Sequence, residues 1–200
     1  MTKKQEVAQG VSELILPNPD KAHNSMVEVL TFAFGETFKW DDSVGQTADR
    51  FIRYLQEYEP KPIPFKPTTF IERDATGMIQ VGPIAIASIC SHHMLPFYGH
   101  AWVGYIPSNG RIIGLSKIPR LVKWMATTPT NQERLTKKVA KWLDETLEPK
   151  GVMVVIKSTH TCMSCRGVRE TDAKMVTSLP LGVFGAVESA RAEFLHFVEV

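Results

Sequence analysis

Between residues 22 and 35, Met26, Val29, Leu30, Ala33 and Phe34 recur three and four positions apart, with polar residues between them. That period puts every apolar side chain on one side of an α-helix, so the stretch is predicted as an amphipathic helix. The same spacing returns over 43–58, where Phe51, Tyr54 and Leu55 form the apolar side of a second helix. The loop Lys39-Trp40-Asp41-Asp42 separates the two. Ahead of them, residues 1–20 are polar and end in the breaker cluster Pro17-Asn18-Pro19-Asp20, which predicts a flexible arm. Pro60, Pro62, Pro64 and Pro67 then stiffen residues 59–69 into an extended linker. The expected organisation is an arm at 1–20, a helical region at 21–60 and a second domain at 61–200.

In the second domain the period shortens. Residues 69–74 and 78–90 read as strands joined in a hairpin by Asp74-Ala75-Thr76-Gly77, and His100 to Ile106 as another strand. Ser108-Asn109-Gly110 is a hairpin signal leading into Arg111-Ile112-Ile113. The helical period resumes at Ile118, Leu121, Val122 and Met125, with Ser116 as the expected N-cap and Pro119 in the first turn. Thr130-Asn131-Gln132-Glu133 has the form of a capping box. It opens a helix whose stripe is Leu135, Val139, Trp142, Leu143 and Leu147, stopped by Pro149-Lys150-Gly151. Residues 151–162 and 168–178 read as strands, Gly182 and Gly185 break the chain, and a short helix covers about 187–197. Strands grouped around a helix pair predict an α+β domain with a largely antiparallel sheet.

Composition changes this picture little. Two hundred residues with 44% apolar and 22% charged suit one domain with a helical extension, and a net charge of +2 gives no reason to expect nucleic acid or an acidic membrane as partner. No uncharged apolar run reaches the roughly 18 residues of a membrane span. The basic start of the chain lacks the apolar stretch of a secretory signal. The expected place is the cytoplasm.

The three cysteines change it a great deal. All of them fall in Cys90-Ser91-His92-His93 and His160-Thr161-Cys162-Met163-Ser164-Cys165. Thiolate sulfur and imidazole nitrogen are the ligands zinc prefers. If His160 and Cys162 share a strand, both point to one face, and Cys162 completes a site with Cys90 and His93. Adding Cys165 would close that site tetrahedrally, as in structural zinc; leaving the fourth position to water would make it catalytic. Spacing alone favours the closed set. His92 and His160 pull the other way, because a structural zinc has no use for two spare imidazoles, whereas hydrolysis needs groups that carry protons near neutrality.

Anion chemistry lies nearby in sequence. Ser116-Lys117 and Arg120 open a helix, whose N-terminus favours negative charge, and Arg166 follows the second cysteine stretch. Together they suit a polyphosphate. Arg50 and Arg53 share a face of the second helix. Glu133 reads either as part of a capping box or as a carboxylate that accepts hydrogen bonds from a purine ring N–H and amino group.

Taken together, Cys90-Ser91-His92-His93, Gly114-Leu115-Ser116-Lys117-Ile118-Pro119-Arg120, Gln132-Glu133-Arg134-Leu135-Thr136, His160-Thr161-Cys162 with Arg166-Gly167-Val168, and Leu181-Gly182-Val183-Phe184 resemble, in order and spacing, the successive signatures of GTP cyclohydrolase I. The resemblance covers about residues 43–197. It implies a T-fold (tunnel fold), and subunits assembled as a homodecamer of two pentamers with sites at their interfaces. It also implies conversion of GTP and water to 7,8-dihydroneopterin triphosphate and formate. By position it makes Cys90, His93 and Cys162 ligands of Zn2+, and His92 and His160 the catalytic proton carriers. Gln132 and Glu133 would anchor guanine. Lys117, Arg120 and Arg166 would hold the triphosphate with Arg50 and Arg53, and Ser116 would contact the ribose or phosphate region. The sequence departs from the family in placing Ser91 where an acid is usual, in carrying Cys165, and in lacking Thr-Pro at Thr47-Ala48.

Overall fold

A computed structural model of the protein describes residues 18–35 and 46–198; the expected arm, up to residue 17, and the Lys39–Asp42 loop lie outside them. The chain divides into two compact units, one up to Glu57 and one from Tyr58 on.

The first unit is a helix pair, α1 (Pro19–Phe34) and α2 (Thr47–Gln56). The breaker cluster turns out to be a helix start. Asn18 is the N-cap, its side chain accepting from the Asp20 N–H at 2.9 Å, and Pro19 occupies the first turn, where a missing N–H costs nothing. His23 Nδ1 meets Asp49 Oδ1 at 2.7 Å and ties the two helices. No residue of α1 is buried, and Phe32 is 93% exposed.

The second unit is α+β. Its main sheet is antiparallel, with β2 (Ile79–Cys90), β3 (Leu95–Ile106), β5 (Gly151–His160) and β6 (Met175–Gly182) side by side in that order. β1 (Thr69–Ile71) and β4 (Arg111–Ile113) make a separate two-stranded antiparallel sheet. Two expected hairpins are thereby corrected. β1 pairs with β4 rather than with β2. The Asn109-Gly110 turn forms, with both residues at positive φ and Arg111 N–H donating to Ser108 O, yet β3 and β4 do not pair. β2 and β5 already occupy both edges of β3, so β4 has no edge to join and takes the short β1 instead.

Between β4 and β5 run α3 (Lys117–Ala126) and α4 (Gln132–Leu147), and they cover one face of the main sheet. Leu135, Val139, Leu143 and Leu147 are fully out of water there, each stabilising by about 2 kcal/mol before entropy is counted. The other face is covered in part by α6 (Val183–Ala186) and α7 (Glu188–Phe197), through Phe184 and Phe194 on Trp102, Met153 and Val155. Cover on both faces explains why β5 is an almost unbroken apolar run. Residues 168–174, expected to begin a strand, carry no regular structure, and β6 starts at Met175. No helix of the described residues is long and apolar enough to cross a membrane.

Candidate functional site

The site is assembled where β2 and β5 end beside the start of α4. β2 finishes at Cys90. The chain then reverses through Ser91–Met94, with Met94 N–H donating to Cys90 O at 2.8 Å and Met94 itself at φ 52°. A short parallel bridge locks this corner to α4: Thr130 N–H donates to Ile89 O at 2.9 Å, and Ser91 N–H to Thr130 O at 3.0 Å.

That bridge settles the question of the helix cap. Thr130 spends its N–H on β2, so no capping box forms, and the N-cap is Asn131, whose side chain accepts from Arg134 N–H at 2.8 Å. Glu133 therefore has no capping duty. It is exposed, at the lip of an open groove of about 410 Å³ shared with Thr136, Lys137, Thr177, Ser178 and Leu179. Ser116 holds the cap position of α3 in helical geometry, yet its side chain makes no cap hydrogen bond; Lys117 N–H and Ile118 N–H turn back to Gly114 O and Leu115 O instead.

β5 delivers His160 at its last position. Directly after it the chain coils into α5 (Thr161–Ser164), so Cys162 sits on a helical turn rather than on the strand. The Thr161 hydroxyl, donating to Pro96 O at 2.6 Å, anchors that turn to β3. Cys90, His160 and Cys162 now offer ligand atoms that all lie within 4.8 Å of one another. His93 is not in this cluster. It lies exposed on the turn after Cys90, which presents it to solvent. Cys165 is also outside, exposed, with its thiol donating to Thr161 O at 2.7 Å. The closed set with Cys165 is not formed.

Two sulfurs and an imidazole nitrogen so close together fit a divalent, thiophilic cation such as zinc. Electrostatics agree. Burial, and then the neighbouring Cys90 sulfur, push the Cys162 thiol up, with Arg166 pulling weakly the other way. A bound cation is what would let the Cys162 thiol ionise. Burial also lowers the basicity of His160; the Glu133 carboxylate opposes that, and His92 adds to it. His92 and Glu133 thus bear electrostatically on the same imidazole.

His160 is held firmly. Its ring stacks on Phe97, its cross-strand neighbour, with centroids 4.7 Å apart. Its Nε2 lies 3.0 Å from Gln132 Oε1, which also accepts from the Ser158 hydroxyl. Gln132 Nε2 donates to Ile156 O, Met175 O and Thr177 Oγ1 at 2.9, 3.1 and 3.0 Å. Gln132, expected as a guanine anchor, has its side-chain amide engaged inside the protein. The residue is wholly buried and its amide is spent inside the protein, so its side chain stands behind His160 rather than facing a ligand. Truncating it would strand buried carbonyls at about 1–3 kcal/mol each.

The cationic residues are less constrained. Lys117 lies over the Phe65 ring, 5.6 Å from its centroid. Phe65 belongs to the proline-rich segment, pinned where Trp124 Nε1–H donates to Lys61 O at 3.0 Å and Gly114 N–H to Thr68 O at 2.9 Å. Arg120 and Arg166 are exposed, and among the described residues no carboxylate engages them or Lys117. Arg50 and Arg53 belong to the first unit, where Arg50 donates to Thr47 Oγ1 at 3.1 Å and Arg53 lines a cavity of about 470 Å³ with Pro19, Ala22 and Asp49.

Sequence reasoning missed Ser158, Thr136, Thr177 and Phe97. Two signals were available: Ser158 lies two residues before His160 and so on the same strand face, and Thr136 lies one helical turn after Gln132.

Comparison with known proteins adds a family to this geometry. The sequence profile described as GTP cyclohydrolase I matches residues 24–199. A protein of Leptospira biflexa named GTP cyclohydrolase 1 is 49% identical over 127 residues, covering 64% of this chain and 69% of its own. A Bacillus pumilus protein of the same name is 45% identical over 131 residues, covering 66% and 69%. One from Desulforamulus reducens is 40% identical over 187 residues, covering 92% of this chain and 97% of its own.

Proposed function

This chain belongs to the GTP cyclohydrolase I family, and from that premise we propose that it opens the guanine imidazole ring of GTP by hydrolysis, releases C8 as formate, and recloses the product as 7,8-dihydroneopterin triphosphate. The observation that carries the reading is the Cys90, Cys162 and His160 cluster with Glu133 and His92 acting on the same imidazole.

Glu133, free of helix capping, accepts from the N–H and amino groups of the guanine edge, with the groove beside α4 receiving the base. Lys117, Arg120 and Arg166 take the triphosphate, joined by Arg50 and Arg53, and Ser116 contacts the ribose or phosphate region. The two thiols hold Zn2+ with one imidazole. That third ligand is His93, because no hydrogen bond among the described residues engages its imidazole, whereas the His160 ring is committed to Gln132. Zinc bound there supplies Lewis acidity to the hydrolytic step. His92 and His160 take and return protons as the C8–N9 bond opens, the ribose rearranges and the new ring closes. Arg120 and Arg166, which no carboxylate engages among the described residues, and the exposed Val29 and Phe32 of α1 favour a homo-oligomer, here a decamer of two pentamers with sites between subunits. The enzyme works in the cytoplasm.

The test is incubation of the zinc-loaded protein with GTP, following formate and the fluorescent pterin formed on oxidation. Both should appear in equal amounts. One zinc per chain with neither product would overturn the assignment. His93→Ala should lose the zinc and His160→Ala keep it; the reverse result would make His160 the third ligand.

A further inference from the structure

We infer that Gln132 is a positioning residue that fixes which nitrogen of His160 exchanges protons. The inference rests on the proposed role of His160 and deepens it.

The orientation of the Gln132 amide is forced. One end faces the Ile156 and Met175 carbonyls, which can only accept, so that end must be the NH2 group. A flipped amide would set oxygen against two oxygens. The neighbouring hydroxyls agree. Thr136 gives its hydrogen to Gln132 O at 2.8 Å, so Thr177, 2.7 Å away, donates to Thr136 and keeps a lone pair for the Gln132 NH2. The other end of the amide is therefore Oε1, an atom that can only accept. His160 Nε2 lies 3.0 Å from it and must carry a hydrogen. The neutral ring then has its lone pair on Nδ1 alone.

Phe97 stacked flat on the ring, at an interplanar angle of 5°, prevents the imidazole from rotating to exchange its two nitrogens. The Nε2 hydrogen is thereby held on Gln132 Oε1, and the ring is fixed in one tautomer and one orientation.

Nitrogen-15 NMR of histidine-labelled, zinc-loaded protein reads the tautomer directly. The expected result for His160 is a protonated Nε2 and an unprotonated Nδ1. A protonated Nδ1 in the wild-type protein overturns the inference, and this measurement needs no variant to fold. Gln132→Met removes the acceptor at similar volume. It should populate both tautomers and lower kcat about 10- to 100-fold, the scale on which loss of an outer hydrogen bond to a site histidine acts, with KM for GTP unchanged. A raised KM with kcat kept would return Gln132 to guanine binding and overturn the inference. Ser158→Ala removes only the second donor to Oε1 and should keep the His160 tautomer. If the wild-type tautomer is as expected but GTP is not turned over, the proposed function falls and the positioning geometry stands.

Discussion

Two regions of one site are built in opposite ways. Around His160, the ring Nε2, the Gln132 amide, the Ser158 and Thr177 hydroxyls and the Ile156 and Met175 carbonyls form one hydrogen-bonded network beside Phe97. Around Glu133, Arg120 and Arg166, charged side chains stand exposed and, among the described residues, form no salt bridge. The first region has already spent its conformational entropy and desolvation during folding. The second leaves those terms to be settled by whatever binds. Groups that move protons need fixed geometry, whereas groups that hold a flexible polyanion can close on it. The division between reacting and holding thus follows the division between buried and exposed.

The contrast can be broken at several points. The largest effect is expected from Cys90→Ser or Cys162→Ser, which should lose the metal and all formate release while thermal unfolding stays cooperative; metal analysis beside the formate assay checks this. Glu133→Ala comes next. A site built on hydrogen bonds to its substrate discriminates by roughly 10^4 or more, so kcat/KM for GTP should fall on that scale with helix content unchanged by circular dichroism. Lys117→Ala or Arg166→Ala removes one charge-assisted contact of about 1.5–3 kcal/mol and should raise KM for GTP about 10- to 100-fold. Equal turnover of GTP and guanosine would sink the phosphate assignment. The smallest effect belongs to Cys165→Ser, outside the cluster, which should keep one zinc per chain and full activity.

The helix stripes, the antiparallel α+β plan and the gathering of both cysteine stretches were legible in the sequence, because each depends on local period or on short spacings. What was not legible depended on competition between distant groups. Asn109-Gly110 signals its turn faithfully, but nothing in it says that both edges of β3 are taken. Thr130 has the right neighbour for a capping box, but its N–H is claimed by the Ile89 carbonyl, 41 residues earlier in the chain, which no local rule can see. Gln132 reads as a ligand-facing amide until Ile156, Met175 and Thr177 are seen to surround it. Pro17-Asn18-Pro19 was ambiguous for another reason: the residues that break a helix inside it also start one well.

The Cys90–Thr130 bridge has a consequence for how the protein breathes. Two main-chain hydrogen bonds join the last residues of β2 to the residue before the α4 N-cap. The Thr130 and Ser91 amides should therefore exchange with solvent deuterium at matched rates, far more slowly than their place at element ends would give. Fraying of the first turn of α4 then cannot occur without loosening the Cys90 corner. Glu133, in the first turn of α4, and Cys90, at the end of β2, should therefore open and close as one cooperative unit rather than separately.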